Sequence, residues 1–481
     1  MRLRFFAFSL FLVVLSSAIS IDANAQFWKK SSDKKNEKTS GETQENVQPW
    51  HHEESKRELK RKQREQEKQE RKNRKKEKRE QKLASKKIAK ELKSNSTRGG
   101  KKKASNTVKA VRYPPTVKKS RYRVDVLAPI YLDELVKGGN VTFKEKIPEK
   151  AVAGLNFYEG IMFAADSLKN GNYDIDIYIH DVSSKHDCID SLIKYKKLDS
   201  SDLVIGAVVP QDLPALSAYT AKKHINFVSA LSPAYGGVQG NKFFTIIQPT
   251  LKTHCEYLAG KIEKDHSNSN VAILYRNSIT AEENAYKYIN ADSTHHQQWK
   301  KLLCNTLPTK KELSGCIDTT NGAQVIIMAV LDNLYADSLL KVLTRSYPNT
   351  RFEVFGMPSW TGLGLQRRST VYSKTEFNIT VPFNYNYTSV SAKYVELQYN
   401  DLIGGKPPEL VYRGFETLIW YGNLLRKYGT MFNEKYNDTR TAPFTKFDIV
   451  PQWDKKGKLL YNENKRIYLL KYSVGNVTVV E

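Results

Sequence analysis

Short apolar segments rich in β-branched residues alternate with helix-forming segments over the region from Tyr122 to about residue 250. The predicted strands are YRVDVLAPI, YDIDIYIHD, DLVIGAVV, INFVSAL and FFTIIQP, with helices between them. Strands that alternate with helices imply crossover connections, which return each strand parallel to the last. The sequence therefore predicts an α/β fold with a mainly parallel sheet flanked by helices.

The same alternation begins again after a predicted helix at Thr253–Lys264. A second set of strands is predicted at NVAILY, AQVIIMAVL, FEVFGMP and FNITVPFNYN. Two long helices, Ser391–Leu402 and Arg413–Tyr428, precede a β-rich C-terminal segment. We expect two lobes within residues 121–481: the first comprises about 121–250 and part of 385–481, and the second about 251–384.

Residues 1–25 have the pattern of a secretory signal peptide. Arg2 and Arg4 precede the apolar run Phe5–Ile19, and Ala23-Asn24-Ala25 matches the small-residue cleavage site of such peptides. No cysteine follows the run, which argues against a lipoprotein anchor. No later apolar run approaches the ~20 residues that span a bilayer. The sequence predicts an exported protein that is periplasmic or secreted.

Residues 26–120 form a basic, low-complexity tail and linker. Residues 1–120 contain 34 Lys and Arg against 14 Asp and Glu, which accounts for +20 of the formal net charge of +26. Between Glu53 and Leu92 there is no Gly or Pro, and Glu–Lys/Arg pairs four residues apart favour a solvated helix. Apolar residues are too sparse for a coiled-coil seam. We expect a disordered or helical tail.

Three roles fit this tail: a solubilising spacer, adhesion to an anionic envelope polymer, acidic protein or lipid surface, and nucleic-acid binding. The signal peptide and the lack of aromatic residues for base stacking argue against the last role. We therefore expect no nucleic-acid partner, while contact with an anionic envelope polymer stays open.

Four cysteines, Cys188, Cys255, Cys304 and Cys316, allow three disulfide pairings in an oxidising compartment. Cys304 and Cys316 are close enough in sequence to close a short loop. The chain has no C-x-x-C motif, so neither a redox motif nor a zinc site is indicated.

Loops that follow the predicted strands are the candidate ligand site. In open α/β sheets, ligands lie beyond the carboxyl ends of the strands, where helix N-termini present free N–H groups. The loops concerned are 208–212 and 229–232 in the first lobe, and 276–278, 331–333 and 357–360 in the second. Any one of them alone is more simply an ordinary strand–helix connection.

Several segments, taken in order, resemble the type I periplasmic binding proteins, the family of leucine/isoleucine/valine-binding proteins and receptor ligand-binding regions. They are RVDVLAPI, YEGIMFAADSL, DLVIGAVVP, INFVSALSP and FFTIIQP for the first lobe, NVAILYRNS and AQVIIMAVL for the second, and YVELQYNDLIGGKPPELVYRGFETLIWYGNLL for the late helix pair. The resemblance covers about three quarters of the chain. It implies two hinged lobes that close on a small molecule.

This chain departs from the family pattern in the loop after the third strand. In the family's amino-acid binders that loop is rich in Ser and Thr, which hold the ligand carboxylate. Here it reads Val208-Val209-Pro210-Gln211-Asp212. Pro210 has no N–H, and Asp212 is predicted to cap the next helix, where its charge would repel an anion. The departure argues against an amino-acid ligand.

The residues predicted to contact a ligand come from both lobes. They are Tyr131, Val208, Val209, Gln211, Ser229, Ala230, Leu231, Ser232, Asn277, Ser278, Trp360 and Tyr385. For the aromatic candidates, which also include Phe383, core or hinge packing is the alternative.

Enzymatic motifs are missing: the chain has no G-x-S-x-G, H-E-x-x-H, P-loop or G-x-G-x-x-G. The pairs His51-His52 and His295-His296 lie in polar stretches and are interpreted as surface residues. We expect no enzyme activity, metal or cofactor. The first hypothesis is a periplasmic binding protein for a small polar solute, with a membrane transporter as partner. The alternative is an envelope interaction protein whose cleft is vestigial and whose partner is a cell-wall component or synthase.

Overall fold

The computed structural model describes residues 111–171, 173–267, 269–291, 298–318, 320 and 322–480. All of them belong to one compact unit. The predicted signal peptide, the tail up to residue 110 and the pair His295-His296 lie outside the described residues. None of the helices in the described part combines the length and apolar character that a membrane span requires.

The strands in the described part of the chain are β1 (Tyr122–Ala128), β2 (Val136–Lys137), β3 (Asn140–Val141), β4 (Ile175–Asp181), β5 (Leu203–Gly206), β6 (Asn226–Ser229), β7 (Phe244–Ile246), β8 (Val271–Tyr275), β9 (Lys300–Leu303), β10 (Gln324–Ala329), β11 (Phe352–Gly356), β12 (Thr375–Val381), β13 (Ile449–Trp453), β14 (Leu459–Asn464), β15 (Tyr468–Ser473) and β16 (Asn476–Val479). Strands β2 and β3 form a separate hairpin.

The α-helices there are α1 (Leu132–Leu135), α2 (Glu149–Asn170), α3 (Ile189–Lys194), α4 (Leu213–Lys223), α5 (Leu251–Asp265), α6 (Thr280–Ile289), α7 (Lys310–Ser314), α8 (Asn333–Ser346), α9 (Val390–Leu402) and α10 (Glu409–Tyr428). Short 3-10 helices lie at Pro358–Leu363, Leu365–Arg368, Asn433–Lys435 and Thr439–Thr441.

Two seven-stranded sheets define the two lobes. The first has the order β13-β14-β7-β6-β5-β1-β4 and the second the order β16-β15-β12-β11-β10-β8-β9. In the first sheet β4, β1, β5, β6, β7 and β14 run parallel, and in the second β9, β8, β10, β11 and β12 do so. The prediction of an α/β fold with two mainly parallel sheets is confirmed.

The chain crosses between the lobes three times, each time at the carboxyl ends of parallel strands. It leaves the first lobe after β7, returns after β12, and leaves again after β14. The last crossing leads to β15, which pairs antiparallel with β12 and starts opposite its carboxyl end, Tyr468 beside Val381. The loops that follow the strands of both sheets therefore adjoin the crossovers.

The C-terminal hairpin of β15 and β16 belongs to the second sheet. The predicted second lobe ended at residue 384 and did not contain it. The sequence pattern identifies such strands but not the sheet that they join. The sheet that a strand joins depends on which of the two sheets has an unpaired edge strand.

Helices α2 and α10 pack closely against each other in the first lobe. A Cβ atom on Gly160 would lie 1.9 Å from the carbonyl oxygen of Val411, and one on Gly414 would lie 2.2 Å from that of Phe157. Two glycines thus let the backbones touch at the crossing point. Their contact lies in the main hydrophobic core of the first lobe, which also contains Trp420.

Residues 111–119, which the sequence assigned to the linker, form a strap along the first lobe. Thr116 Oγ1 donates to the carbonyl oxygen of Tyr428 at 2.7 Å. The N–H of Val117 donates to Thr430 Oγ1, and the N–H of Thr430 donates to the carbonyl oxygen of Val117. Thr430 in turn accepts from Asn226 Nδ2 at 2.8 Å, at the amino end of β6. The strap therefore runs along the amino ends of the strands, away from the loops described next.

All four cysteines are free thiols in the structure. Cys188 is half-buried and the other three are buried. Burial raises the pKa of Cys255 and that of Cys304 to about 12, so neither carries a thiolate at neutral pH.

Candidate functional site: the loops at the carboxyl ends of both sheets

The loop after β1 wraps around a carboxylate from the neighbouring strand. Asp181, the last residue of β4, accepts backbone hydrogen bonds from Ile130 at 3.0 Å, Tyr131 at 3.2 Å and Leu132 at 2.7 Å. Tyr131 has φ 60°, and this left-handed residue turns consecutive N–H groups towards one point. Converging N–H groups of this kind could bind an external anion, but here they bind the carboxylate of Asp181.

The loop after β5 presents few polar groups. Val208 is buried, while Val209, Pro210 and Gln211 are exposed. Asp212 occupies the N-cap position of α4, as predicted, but its carboxylate accepts no capping hydrogen bond. Its backbone (φ −89°, ψ −14°) is nearly helical, which turns the side chain away from the helix N–H groups. Burial and the charge of Asp190 raise the pKa of Asp212.

The loop after β6 has open N–H groups, as does the loop after β5, where the N–H groups of Val208, Val209 and Gln211 donate to no acceptor within the described residues. Ser229 and Ala230 are buried, and Ser229 Oγ donates to the carbonyl oxygen of Ser232 at 3.4 Å. Ser232 Oγ accepts from the N–H of Ala234 at 3.1 Å. Within the described residues, the N–H groups of Leu231 and Ser232 donate to no protein acceptor.

The loop after β10 in the second lobe is also held by a carboxylate of the chain. Glu282 of α6 is fully buried, and its Oε1 accepts from the N–H groups of Leu331 at 2.8 Å and Asp332 at 2.9 Å. Its Oε2 lies 3.2 Å from Nε of Arg276, whose guanidinium stacks on Tyr335 with 4.1 Å between Cζ and the ring centroid. Glu282 therefore takes the place that an anionic ligand would need at this loop.

The N–H groups of the loop after β8 are capped by a side-chain amide. Asn305 Oδ1 accepts from the N–H groups of Asn277 at 3.1 Å and Ser278 at 3.2 Å, and its amide donates to Asn277 Oδ1 at 2.6 Å. The side chains of Asn277 and Ser278 are exposed. They remain candidates for contact with a solute, whereas their backbone N–H groups are already paired.

Three of the four aromatic candidates, Trp360, Phe383 and Tyr385, lie in hydrophobic cores. Trp360 is fully buried in the second lobe, and its indole N–H donates to the carbonyl oxygen of Val330 at 2.8 Å. Tyr385 is buried at the crossover after β12, where its hydroxyl accepts from Nε of Arg413 at 2.9 Å. Arg413 Cζ lies 3.0 Å from the centroid of the Phe383 ring. These positions fit the alternative interpretation, in which the aromatic residues pack in the core or at the hinge. A ligand could reach Trp360 only if the indole ring left the core.

Sequence reasoning did not identify the residues that cap the loops, namely Asp181, Glu282 and Asn305, nor the buried Arg413 at the crossover. Each capping residue is separated by 27 to 51 positions from the N–H groups that it binds. Spacing patterns detect local partners, so nothing in the sequence marked these pairings.

A buried polar network joins β1 to the edge strand β4 in the first sheet. Asp125 accepts from Ser201 Oγ at 2.6 Å and Arg123 Nε at 2.8 Å, and lies 2.8 Å from His180 Nε2. Burial alone would raise the pKa of Asp125, but these hydrogen bonds together lower it. Within the described ranges, no three His, Cys, Asp and Glu side chains are grouped so that they could hold a metal ion.

This architecture, two parallel α/β lobes joined by three crossovers, is the fold of the type I periplasmic binding proteins. Among solved structures, the chain is similar to a putative branched-chain amino acid ABC transporter protein from Rhodospirillum rubrum, with a TM-score of 0.53 and 11% identity over 75% of this chain and 100% of the other. A branched-chain amino acid ABC transporter periplasmic ligand-binding protein from Burkholderia xenovorans has a TM-score of 0.50 and 11% identity, over 75% and 95% of the two chains.

A further similar structure is LpoA from Haemophilus influenzae, with a TM-score of 0.47 and 13% identity over 76% of this chain and 59% of that one. No protein-family model matches the chain. No curated protein matches it either.

Proposed function

We propose that this chain is an exported, non-enzymatic binding protein that holds a small solute between its two lobes. The supporting observation is that all three crossovers adjoin the carboxyl ends of the parallel strands, where both lobes carry their loops. Such an arrangement allows hinged closure on a ligand. The names of the two similar proteins with TM-scores of 0.50 and 0.53 describe components of solute transport systems.

The loops favour a neutral polar solute over one with a free carboxylate. Asp181, Glu282 and Asn305 already occupy the N–H groups of three loops, and Asp181 would also repel an anion. The open N–H groups after β5 (Val208, Val209 and Gln211) and after β6 (Leu231 and Ser232) remain as donors for a carbonyl or hydroxyl oxygen. Exposed Gln211 adds an amide that can both donate and accept.

A thermal-shift screen of the mature chain, residues 26–481, tests this proposal. Matched pairs should be included, such as leucine with leucinamide, together with nucleosides, sugars and short peptides. A ligand at 100 times its dissociation constant adds about 2.7 kcal/mol to the free energy of unfolding. We expect a neutral compound to raise the melting temperature. If no compound of any class does so, the solute-binding function fails; if leucine outperforms leucinamide, only the ligand class fails.

The second candidate is an envelope interaction protein that acts through its tail. The observation that favours it is the position of the strap, which starts at Val111 and runs along the amino ends of the first sheet, away from the candidate loops. A tail of high positive charge joined to the strap could bind an anionic envelope polymer. Deletion of residues 26–110 should abolish binding to cell-wall sacculi at low salt. Unchanged binding would exclude the tail as the adhesive element.

A further inference from the structure

The turn between β13 and β14 carries three lysines in four residues. It reads Asp454-Lys455-Lys456-Gly457-Lys458, and the three lysines are exposed. Asp454 Oδ1 accepts from the N–H groups of Lys456 at 2.9 Å and Lys458 at 2.7 Å, so the carboxylate fixes the turn. Within the described residues, no carboxylate forms an ion pair with any of these three ammonium groups. The turn therefore presents three cations to solvent.

This turn lies beside the start of the strap, at the amino ends of β7 and β14. A Cβ atom on Gly240 would lie 3.8 Å from Cε of Lys458. Two residues later, Lys242 Nζ donates to the carbonyl oxygen of Arg112, whose own side chain is exposed. These contacts bring the cations of the turn and of the strap to one end of the first lobe. The basic surface is defined by five residues: Arg112, Lys242, Lys455, Lys456 and Lys458.

Two acids border the basic surface within the described part of the chain. Asp454 lies inside the turn. Burial and the charge of Glu434 raise the pKa of Tyr113 to about 12, which places Glu434 close to the strap. Five cations against these two acids leave a local excess of positive charge.

The basic surface adjoins the place where the tail joins the folded unit. By sequence count, residues 1–120 carry +20 and residues 121–481 carry +6. Positive charge therefore continues from the tail onto this end of the first lobe. Because like charges repel, the tail itself does not occupy the basic surface, whereas a long anionic partner would offset the repulsion by contact with both.

We propose that the basic surface binds the same linear anionic polymer of the cell wall as the tail, so that the contacts of the polymer continue from the tail onto the folded unit. This inference rests on the second candidate function, adhesion through the tail. It is independent of the solute that the loops at the carboxyl ends bind.

The composition of the basic surface favours a linear polyanion over nucleic acid or a lipid bilayer. Four of its five cations are lysines, compact point charges that need none of the bidentate geometry that arginine offers to phosphate. The adjoining rings are not open for base stacking, because Tyr113 is half-buried and Phe243 is buried. The five residues include no apolar side chain that could insert into a bilayer. The predicted signal peptide favours a polymer of the cell envelope.

Co-sedimentation of the mature chain, residues 26–481, with purified sacculi tests the basic surface. The combined substitution Lys455→Gln, Lys456→Gln and Lys458→Gln should weaken binding about 10-fold at low salt. It should also reduce the salt dependence of binding, because fewer counterions are released. The control variant replaces three exposed lysines of the second lobe with glutamine: Lys301, Lys310 and Lys311. The control lowers the net charge equally and should bind like the parent.

Deletion of residues 26–110 separates this inference from the function on which it rests. The inference requires that the deletion and the triple turn variant each weaken binding. If only the deletion does so, the tail alone is adhesive and the inference fails. If neither change lowers binding, the second candidate function fails as well.

Amine labelling locates the polymer without any substitution. With sacculi bound, labelling of the three turn lysines should fall, while labelling of the three control lysines of the second lobe should not. Equal protection of the two sets would contradict binding at the basic surface. The same measurement with duplex DNA and with phosphatidylglycerol vesicles, at equal anionic charge, tests the class of partner. Stronger protection by either than by sacculi would overturn the choice of a cell-wall polymer.

Discussion

Glu463 Oε1 accepts a hydrogen bond from Thr253 Oγ1 at 2.5 Å and so joins the last strand of the first lobe to the first helix of the second. The same oxygen accepts from the N–H and the hydroxyl of Thr250, the N-cap of α5, at 2.9 and 2.8 Å. Glu463 is 1% exposed and its other oxygen lies 3.2 Å from Lys465 Nζ. Two of the three crossovers are thus held together by one buried carboxylate.

Replacement of Glu463 should destabilise the whole protein. Glu463→Ala leaves the Thr250 N–H without its acceptor and the Lys465 ammonium without its carboxylate, and we expect a loss of about 3 kcal/mol in the free energy of unfolding. Glu256→Ala is the control, because it removes an exposed ion pair with Lys252 (3.5 Å) on the same helix, which is worth under about 1 kcal/mol. Urea unfolding measures both. Equal losses would show that the carboxylate does not hold the crossovers.

A buried carboxyl group in α2 makes stability depend on pH. Burial raises the pKa of Glu159 to about 8, and its Oε2 has no hydrogen-bond partner. The group is therefore neutral when folded and charged when unfolded between its ordinary pKa and about 8. The unfolded state releases a proton over this interval, so the contribution of Glu159 to stability is greatest at low pH and falls as pH rises.

Glu159→Gln should remove that pH dependence. We expect the variant to gain stability relative to the parent as the pH rises from about 5 to 8, by a few kcal/mol at most. Chemical unfolding at several pH values measures the difference, and Glu149→Gln, at the exposed start of the same helix, is the control. Parallel pH profiles for parent and Glu159→Gln would contradict a raised pKa.

The crossing of α2 and α10 should tolerate no side chain at Gly160. Gly160→Ala places a Cβ against the backbone of Val411, which cannot move without shifting α10. We expect a loss of about 2 kcal/mol or more, since overpacking of a rigid contact forces the helices apart. Gly260→Ala in α5 meets nothing within 4 Å and should stabilise by up to about 1 kcal/mol, through helix propensity. If Gly160→Ala and Gly260→Ala changed the melting temperature in the same direction, the close packing of α2 against α10 would be contradicted.

Local signals in the sequence predicted most of the fold but less of the candidate site. The central parts of the strands and helices agree: the predicted strand at residues 122–130 contains β1, and the predicted helix Arg413–Tyr428 lies within α10. The prediction missed β9, because Lys300 and Lys301 interrupt its apolar character and it lies at a sheet edge. The loops were found from their place after each strand. The side chains that fill them come from distant positions, which periodicity cannot reveal.

The strap at residues 111–119 carries the last prediction, which concerns where the folded part of the chain begins. A chain that starts at residue 111 keeps the hydrogen bonds of Thr116 and Val117 with residues 428–430, and the edge-to-face contact of Tyr113 with Phe243, centroids 6.1 Å apart. A chain that starts at residue 120 loses them all.

We expect removal of residues 26–110 to leave the free energy of unfolding unchanged, and removal of residues 26–119 to lower it by about 2 kcal/mol. The loss follows from the hydrogen bonds, each worth about 0.5–1.5 kcal/mol, and from Gly429. A Cβ at Gly429 would lie 2.6 Å from Thr116 Oγ1, so the strap covers this backbone closely. In the chain that lacks the strap, Gly429→Ala should therefore lower the free energy of unfolding by less than it does in the chain that keeps the strap. Some loss remains, because the φ of 81° at Gly429 disfavours alanine. If the two truncated chains unfold at the same urea concentration, residues 111–119 act only as a linker.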